Sequence, residues 1–394
     1  MQGVSVQPKV DRTELLNLLA DLISINSINP AFGSDAPGEG RIGQYVSDFY
    51  KKYKIRWERQ EVLPGRFNVI GQVPGRNPDR CLIFDAHLDT VSVQGMSIDP
   101  FKPEIRDNKM FGRGSRDPKA GMAGMLMALR QVSQSDVAPP TNIWVTTTID
   151  EEHSFQGIRF LANQGIRAEG AVIAEPTQLE TIISHKGCVR WKISTQGRSA
   201  HSAKPQLGIN AISKMARLIE AIETRIVPLY EKRKHPLLGP PTVNVGVIQG
   251  GIQVNLVPDS CEIQIDRRTI PGEDSTDVLT DFEELVHELE REDADFKATI
   301  EAPFLEDLYL ETSSHEKIVR VAEAVCWKVR GHSCLNGVPY ATNASKLSRR
   351  GVPSVVLGPG NIDQAHTALE FVDIEQVVQA AEIYLGIMLG FDDL

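Results

Sequence analysis

The fold is decided by Cys81-Leu82-Ile83-Phe84-Asp85-Ala86-His87-Leu88-Asp89-Thr90, four apolar residues running straight into a His-x-Asp triplet. A short, continuous apolar run of this kind reads as a strand buried on both faces, the signature of a parallel sheet. Ile143-Trp144-Val145, Ala171-Val172-Ile173 and Ser354-Val355-Val356-Leu357 repeat the pattern. Helical periodicity separates them near Gly121 to Val132 and from about Phe155 to Asn163, and helices open at Asp11, His315 and Asp373. Strands alternating with helices predict an α/β domain with a mostly parallel sheet and helices on both faces.

Between Ser184 and Ala302 the rhythm changes. Strand (Val189 to Ser194), helix (Ile209 to Glu223), two strands (Val243 to Ile248, Cys261 to Asp266), helix (Ser275 to Glu290) and a last strand (Phe296 to Ile300) follow one another. That β-α-β-β-α-β order describes a ferredoxin-like α+β module inserted into the larger domain. The expected partition is 1–184 and 302–394 for the large domain, with 185–301 as the insert. A chain of 394 residues is long enough for two such cores.

Bulk properties narrow the function. A formal charge of -10 with no dense basic cluster argues against a nucleic-acid partner. No apolar run approaches the roughly 18 residues of a membrane span, and Met1-Gln2-Gly3-Val4-Ser5 lacks a leader pattern. Five cysteines without metal or redox spacing are expected to be buried free thiols of a reducing compartment, hence the cytoplasm.

Functional groups in such sheets gather beyond the carboxyl ends of the strands. There the chain places His87 and Asp89, then Asp150-Glu151-Glu152, then Glu175-Pro176, and finally Gln364-Ala365-His366-Thr367. Gly112-Arg113-Gly114-Ser115-Arg116-Asp117-Pro118-Lys119 leads into a helix between the first two strands. If Asp117, Glu152 and Glu175 converge, their repulsion requires cations. Two divalent ions balance three carboxylates and a hydroxide, with His87 and His366 as one neutral nitrogen ligand for each. Mixed nitrogen and oxygen donors suit zinc, for which cobalt or manganese can substitute.

Asp89, two residues after His87 on extended backbone, is expected to orient the imidazole through its other nitrogen. Glu151 and Glu152, adjacent on backbone read as extended, point apart, so Glu152 is assigned to metal and Glu151 to general base and acid. Glu151 then takes a proton from the attacking water and returns it to the leaving amine. Proline after Asp117 permits a cis peptide, which is expected here. The remaining histidines (His153, His185, His235, His287, His315 and His332) are read as structural.

These residues resemble the dinuclear metallopeptidase family of acetylornithine deacetylase, succinyl-diaminopimelate desuccinylase, aminoacylase and glutamate carboxypeptidase. The elements are His87-Leu88-Asp89-Thr90-Val91, Gly112-Arg113-Gly114 with Asp117-Pro118-Lys119, Asp150-Glu151-Glu152, Glu175-Pro176 and Ala365-His366-Thr367, in order over nearly the whole chain. The insert resembles the family's lid and dimerisation domain through Gly197-Arg198-Ser199-Ala200-His201-Ser202, Asn255-Leu256-Val257-Pro258 and Asp266-Arg267-Arg268. The resemblance implies a homodimer formed through the lid, in which His201 serves the partner subunit's oxyanion. It implies that Asn255 and Arg268 grip a substrate carboxylate. It also implies cleavage of an N-acyl amino acid, with a dipeptidase or carboxypeptidase as the alternative. A catalytically silent amino-acid or metal binding protein is the reading from another class, and the presence of Glu151 opposes it. Two positions depart from the pattern: Ala120, where glycine is usual, and Asn343, where many relatives carry Asp.

Overall fold

The computed structural model describes residues 9–393. The N-terminal residues read above for a leader lie outside them. The chain divides into two compact units: residues 1–183, 312–336 and 342–394 form one, and residues 184–311 with 337–341 form the other.

In the first unit four strands run parallel in the order Thr141–Thr148, Asn77–His87, Gly170–Ile173 and Ser354–Val356. Antiparallel strands flank them, so the parallel character belongs to the centre of the sheet. The hairpin Arg56–Leu63 and Arg66–Val73, turning at Gly65 (φ +72°), extends one side, and Thr181–His185 joins the other. The sequence reading passed over that hairpin.

Register sets the site. His87 pairs with Thr148, and Asp85 with Ile173, which in turn pairs with Val356. The carboxyl ends of all four parallel strands are therefore level, and the segments leaving them start from one edge.

Adjacent strand residues point to opposite faces. Phe84 meets Tyr384 of the helix Ile374–Gly390 edge-on at 6.2 Å, whereas Asp85 bonds Asn343, which caps the helix Ala344–Ser348 on the other side. Helices thus cover both faces. The helix Lys119–Ser133 is buried along nearly its whole length, packed between Arg12–Ser24 and Ile374–Gly390. A Cβ at Gly121 would come within 2.6 Å of the Ala174 side chain, so that close approach needs glycine.

The second unit is a four-stranded antiparallel sheet in the order Thr242–Gly250, Ser260–Arg268, Cys188–Gln196, Ala298–Ile300. With strands numbered by their order in this unit, that is 2-3-1-4, the ferredoxin-like arrangement. Burial alternates strictly along Ser260–Arg268, one face carrying Cys261, Ile263 and Ile265 into a core with Trp191 and Phe282. The helices Ala211–Ala221 and Ser275–Glu292 close that core. A further strand, Leu305–Asp307, pairs with the start of Cys188–Gln196, which carries the unit past residue 301.

Among the described residues no helix is long and apolar enough to cross a membrane. All five cysteines are free, and four are buried. Cys334 is the correction to the expectation of buried thiols: it is exposed, in the irregular segment after the helix Lys317–Arg330.

Candidate metal centre

His87 ends its strand almost completely buried, and its Nε2 lies 3.1 Å from Asp117 Oδ1 and 3.8 Å from Glu175 Oε1. His366 arrives from the far end of the chain in a left-handed conformation (φ +59°), its Nε2 3.3 Å from Asp117 Oδ2 and 3.1 Å from Glu152 Oε1. The two oxygens of Asp117 therefore face two different histidines. Two half-sites share this carboxylate: His87 with Glu175, and His366 with Glu152. The Asp117–Pro118 peptide is cis.

The Glu151 carboxylate lies within 4.8 Å of ligand atoms of His87 and Glu175, and a second grouping within that limit joins His87, Asp117 and Glu152. Both groupings could hold a cation.

The electrostatics fit a missing positive charge. Burial raises Glu151 and Glu175 well above the usual carboxylate range, and neighbouring carboxylates push each further. Glu152 is raised by burial and by the charge of Asp117. Burial works to lower the histidines, but hydrogen bonds to Asp117 and other carboxylates outweigh it: His87 is raised well above its ordinary value and His366 to about 10. Protons thus stand in for the charge that cations would supply. The Glu175 Oε1 atom is buried without a hydrogen-bond donor, a vacancy in its bonding that a metal would satisfy. On this count the residues fit a metal pair.

Asp89 has two duties. The nearest partner of His87 Nδ1 is the main-chain carbonyl of Asp89 at 3.0 Å; the carboxylate stands at 3.5 Å. That carboxylate also accepts the amides of Glu151 and Glu152, each at 3.1 Å. Two successive amides reach one carboxylate only because the backbone turns here. The extended backbone read from the sequence is corrected to a tight turn, entered through Asp150 at φ +66°.

The residues that build this turn escaped the sequence reading. Asn29 gives its amide to Asp89 Oδ2 at 2.8 Å and to Asp150 Oδ1 at 3.0 Å. Arg66 bonds Asp150 at 3.0 Å and clasps both oxygens of Glu39, which accepts the Asp150 amide at 3.1 Å. Asn29 precedes a proline and Arg66 follows a hairpin glycine, so each looked like an ordinary turn residue. Only the spatial pairing gives them meaning.

Asn343 finds its explanation here too. Its amide donates to Asp85 Oδ2 at 2.8 Å and to Thr148 Oγ1 at 3.1 Å. Burial lifts Asp85 to about 6 even with donors from Thr146, Asn343 and Thr148. An aspartate at 343 would set two buried carboxylates against each other; asparagine is the residue that lets Asp85 stand behind His87.

Residues 83–390 match peptidase family M20/M25/M40. The chain belongs to this family. It is accordingly a metal-dependent amide hydrolase. An acetylornithine deacetylase of Photorhabdus laumondii is 35% identical over 367 residues, covering 91% of this chain and 92% of the relative. A probable succinyl-diaminopimelate desuccinylase of Staphylococcus epidermidis is 25% identical over 406 residues, with 95% and 97% coverage. A tripeptidase structure from Staphylococcus aureus superposes with a TM-score of 0.79 at 20% identity, covering 98% of this chain and all of that one. At that identity the likeness speaks for the fold.

The remaining sequence candidates lie in the second unit of this family member. His201 is exposed, on a two-residue strand paired with Leu256–Val257, and its Nδ1 accepts the Ala203 amide at 3.0 Å. Asn255 is exposed beside it, its carbonyl accepting the Ser202 amide at 3.0 Å. Arg268 closes its strand with the guanidinium on Asp266, Nε to Oδ1 2.8 Å.

Proposed function

We propose that the protein removes the acyl group from an N-acyl amino acid, using two zinc ions held by His87, Asp117, Glu152, Glu175 and His366. The observation that carries this is Asp117, whose two oxygens address two separate histidine-carboxylate half-sites. One carboxylate shared in this way has a purpose when two cations lie side by side. Bound, such ions polarise the amide carbonyl and acidify the attacking water.

The chain's own groups supply the rest. Glu151 accepts the proton of the attacking water and delivers it to the nitrogen of the departing amine. Asp117, Glu152 and Glu175 each have an oxygen 3.1 to 3.8 Å from an imidazole nitrogen, and Glu151, within 4.8 Å of His87 and Glu175, is assigned to move the proton. Its raised affinity for a proton in this buried setting suits that work. Asp89 holds the His87 ring from behind and, through two amides, fixes the turn that carries Glu151 and Glu152. In the second unit we assign Asn255 and Arg268 to the substrate carboxylate, and His201 to the oxyanion of the partner subunit's site.

That assignment requires a dimer, and the second unit offers a surface for one. Ile252 and Val254 are 86% and 101% exposed and line, with Ile212 and Leu256, a groove of about 440 Å³. The neighbouring strand Thr242–Gly250 is the open edge of its sheet, a surface that a two-fold copy of itself can extend. Five free cysteines suit the cytoplasm.

Relatives named as acetylornithine deacetylase and succinyl-diaminopimelate desuccinylase support acetyl and succinyl derivatives as the first substrates to try. The test is hydrolysis of a panel of N-acetyl and N-succinyl amino acids, dipeptides and tripeptides, with chelator and after zinc return. Turnover of the acyl amino acids, lost and restored with metal, is expected. Turnover of peptides alone makes it a peptidase on the same residues. No turnover with two zinc ions bound would make it a binding protein.

A further inference from the structure

We infer that Glu370 is the positioning residue that keeps Asp117 in its place between the two half-sites, an inference that rests on the two-metal reading above. Glu370 is 1% exposed and follows His366 by four residues. Its carboxylate is surrounded by the loop that carries Asp117. Oε2 accepts the Gly114 amide at 3.0 Å and Arg113 Nη1 at 2.7 Å; Oε1 accepts the amides of Arg116 at 3.0 Å and Asp117 at 3.3 Å. The main-chain carbonyl of Glu370 takes the Gly112 amide at 3.2 Å.

Four amides of this loop, those of Gly112, Gly114, Arg116 and Asp117, are thus spent on one residue, while those of Arg113 and Ser115 bond Pro100 and Gly112. Gly112 and Gly114 make the wrapping possible with φ of +144° and +77°. At Gly114 a Cβ would lie 2.9 Å from both Lys119 and Thr90.

The connection ties together ligands that are far apart in the chain. Immediately after Glu370, Phe371 pairs with Phe111, so the strand leaving His366 and the strand entering the Asp117 loop are in register. Arg116 reinforces the join by bonding the carbonyls of Asn361, at 2.7 Å, and Phe371. Glu370 therefore fixes the Asp117 carboxylate against the His366 imidazole, a contact made across 3.3 Å. His87 needs less help, because its strand is paired on both sides as far as Asp85 and His87 itself pairs with Thr148. Loosening Glu370 should weaken both half-sites through the shared Asp117, and the His366 half-site most, because Asp117 and the segment carrying His366 both depend on this join.

The experiment is titration of metal-free full-length protein with cobalt(II), followed by calorimetry and by the visible absorption of bound cobalt, for wild type, Glu370→Gln and Glu370→Asp. Gln keeps the size but turns one acceptor into a donor facing Arg113 and Gly114. Asp keeps the charge opposite Arg113 but withdraws it by one methylene, so it guards against a Gln variant that fails to fold. We expect two equivalents in wild type. In each folded variant the second equivalent should weaken at least tenfold, with a clearly smaller loss of affinity in the first. Two equivalents at wild-type affinity in either folded variant would overturn the inference, as would parallel loss of both equivalents. Wild type that binds fewer than two equivalents would instead defeat the two-metal reading, in an arm of its own.

Discussion

Glu151→Gln separates the proton transfer proposed for Glu151 from the proposed metal cage. The substitution keeps volume and shape in a side chain that is 9% exposed, and removes the one ionisable group assigned to proton transfer. A positioned general base contributes about 10²- to 10⁴-fold, so kcat should fall by that factor, about 3–5 kcal/mol in barrier height. The ligand pairs His87–Glu175 and His366–Glu152, and the shared Asp117, are untouched, so two metal equivalents should remain. The metal-free protein gives a second readout. Burial first, then the charges of Glu152, Asp117 and Asp89, raise Glu151 in the folded state. A carboxyl whose folded pKa is raised favours folding at low pH, and that advantage is lost as pH rises from the unfolded value of about 4.3 through the folded one. Metal-free Glu151→Gln should therefore melt near the wild-type temperature at pH 4 and above it at pH 8. The measurements are steady-state kinetics on the best acyl amino acid, metal analysis, and melting of chelated protein at both pH values. Activity within tenfold of wild type with metal content intact would refute the assignment; loss of metal would show Glu151 to be a ligand.

Other outcomes follow from the same geometry. Asn29→Ala leaves Asp89 and Asp150 short of a buried donor, so it should cost about 1–3 kcal/mol in unfolding titrations and lower kcat at least tenfold with KM little changed; an unaltered kcat would remove Asn29 from the site. Asn343→Asp should melt close to wild type at pH 5 and progressively below it towards pH 8, because the carboxylate pair with Asp85 holds a proton that the unfolded chain releases. Each unit of that upward shift costs about 1.4 kcal/mol, and identical melting curves at pH 8 would contradict the pairing. Metal uptake should release protons, since His366 is raised to about 10 and burial raises Glu175 well above the usual carboxylate range. Calorimetry in buffers of different ionisation enthalpy should detect at least one proton per chain at pH 7, with affinity weakening as pH falls; pH-independent uptake would refute the charge substitution described above. Val254→Asp should shift the protein from dimer to monomer in light scattering, and a dimer that persists would place the interface elsewhere.

The hydrophobic rhythm of the fold and the candidate site residues left different traces in the sequence. Buried parallel strands need uninterrupted apolar runs, so Cys81–Phe84, Ile143–Val145, Ala171–Ile173 and Ser354–Leu357 announced themselves. The hairpin Arg56–Val73 did not: its edge strand Arg56–Leu63 is mostly polar and partly exposed, and Arg66–Val73, though buried from Asn68 to Gly71, breaks its apolar run with Asn68, Gly71 and Gln72. Asn343 was legible as a departure but not as a partner of Asp85.

From the sequence alone came the α/β and ferredoxin-like element order and the residue types placed after each strand. Both depend on local chemistry: apolar runs must be buried, and carboxylates and imidazoles keep their donor properties wherever they lie. The tertiary structure alone decided distances and partners. It made Asp117 face two histidines, turned the backbone at Asp150 so that two amides meet Asp89, and brought Asn29, Arg66 and Glu370 to positions their neighbours in sequence do not reveal. Long-range pairing is fixed by strand register and packing, and these join residues tens to hundreds of positions apart.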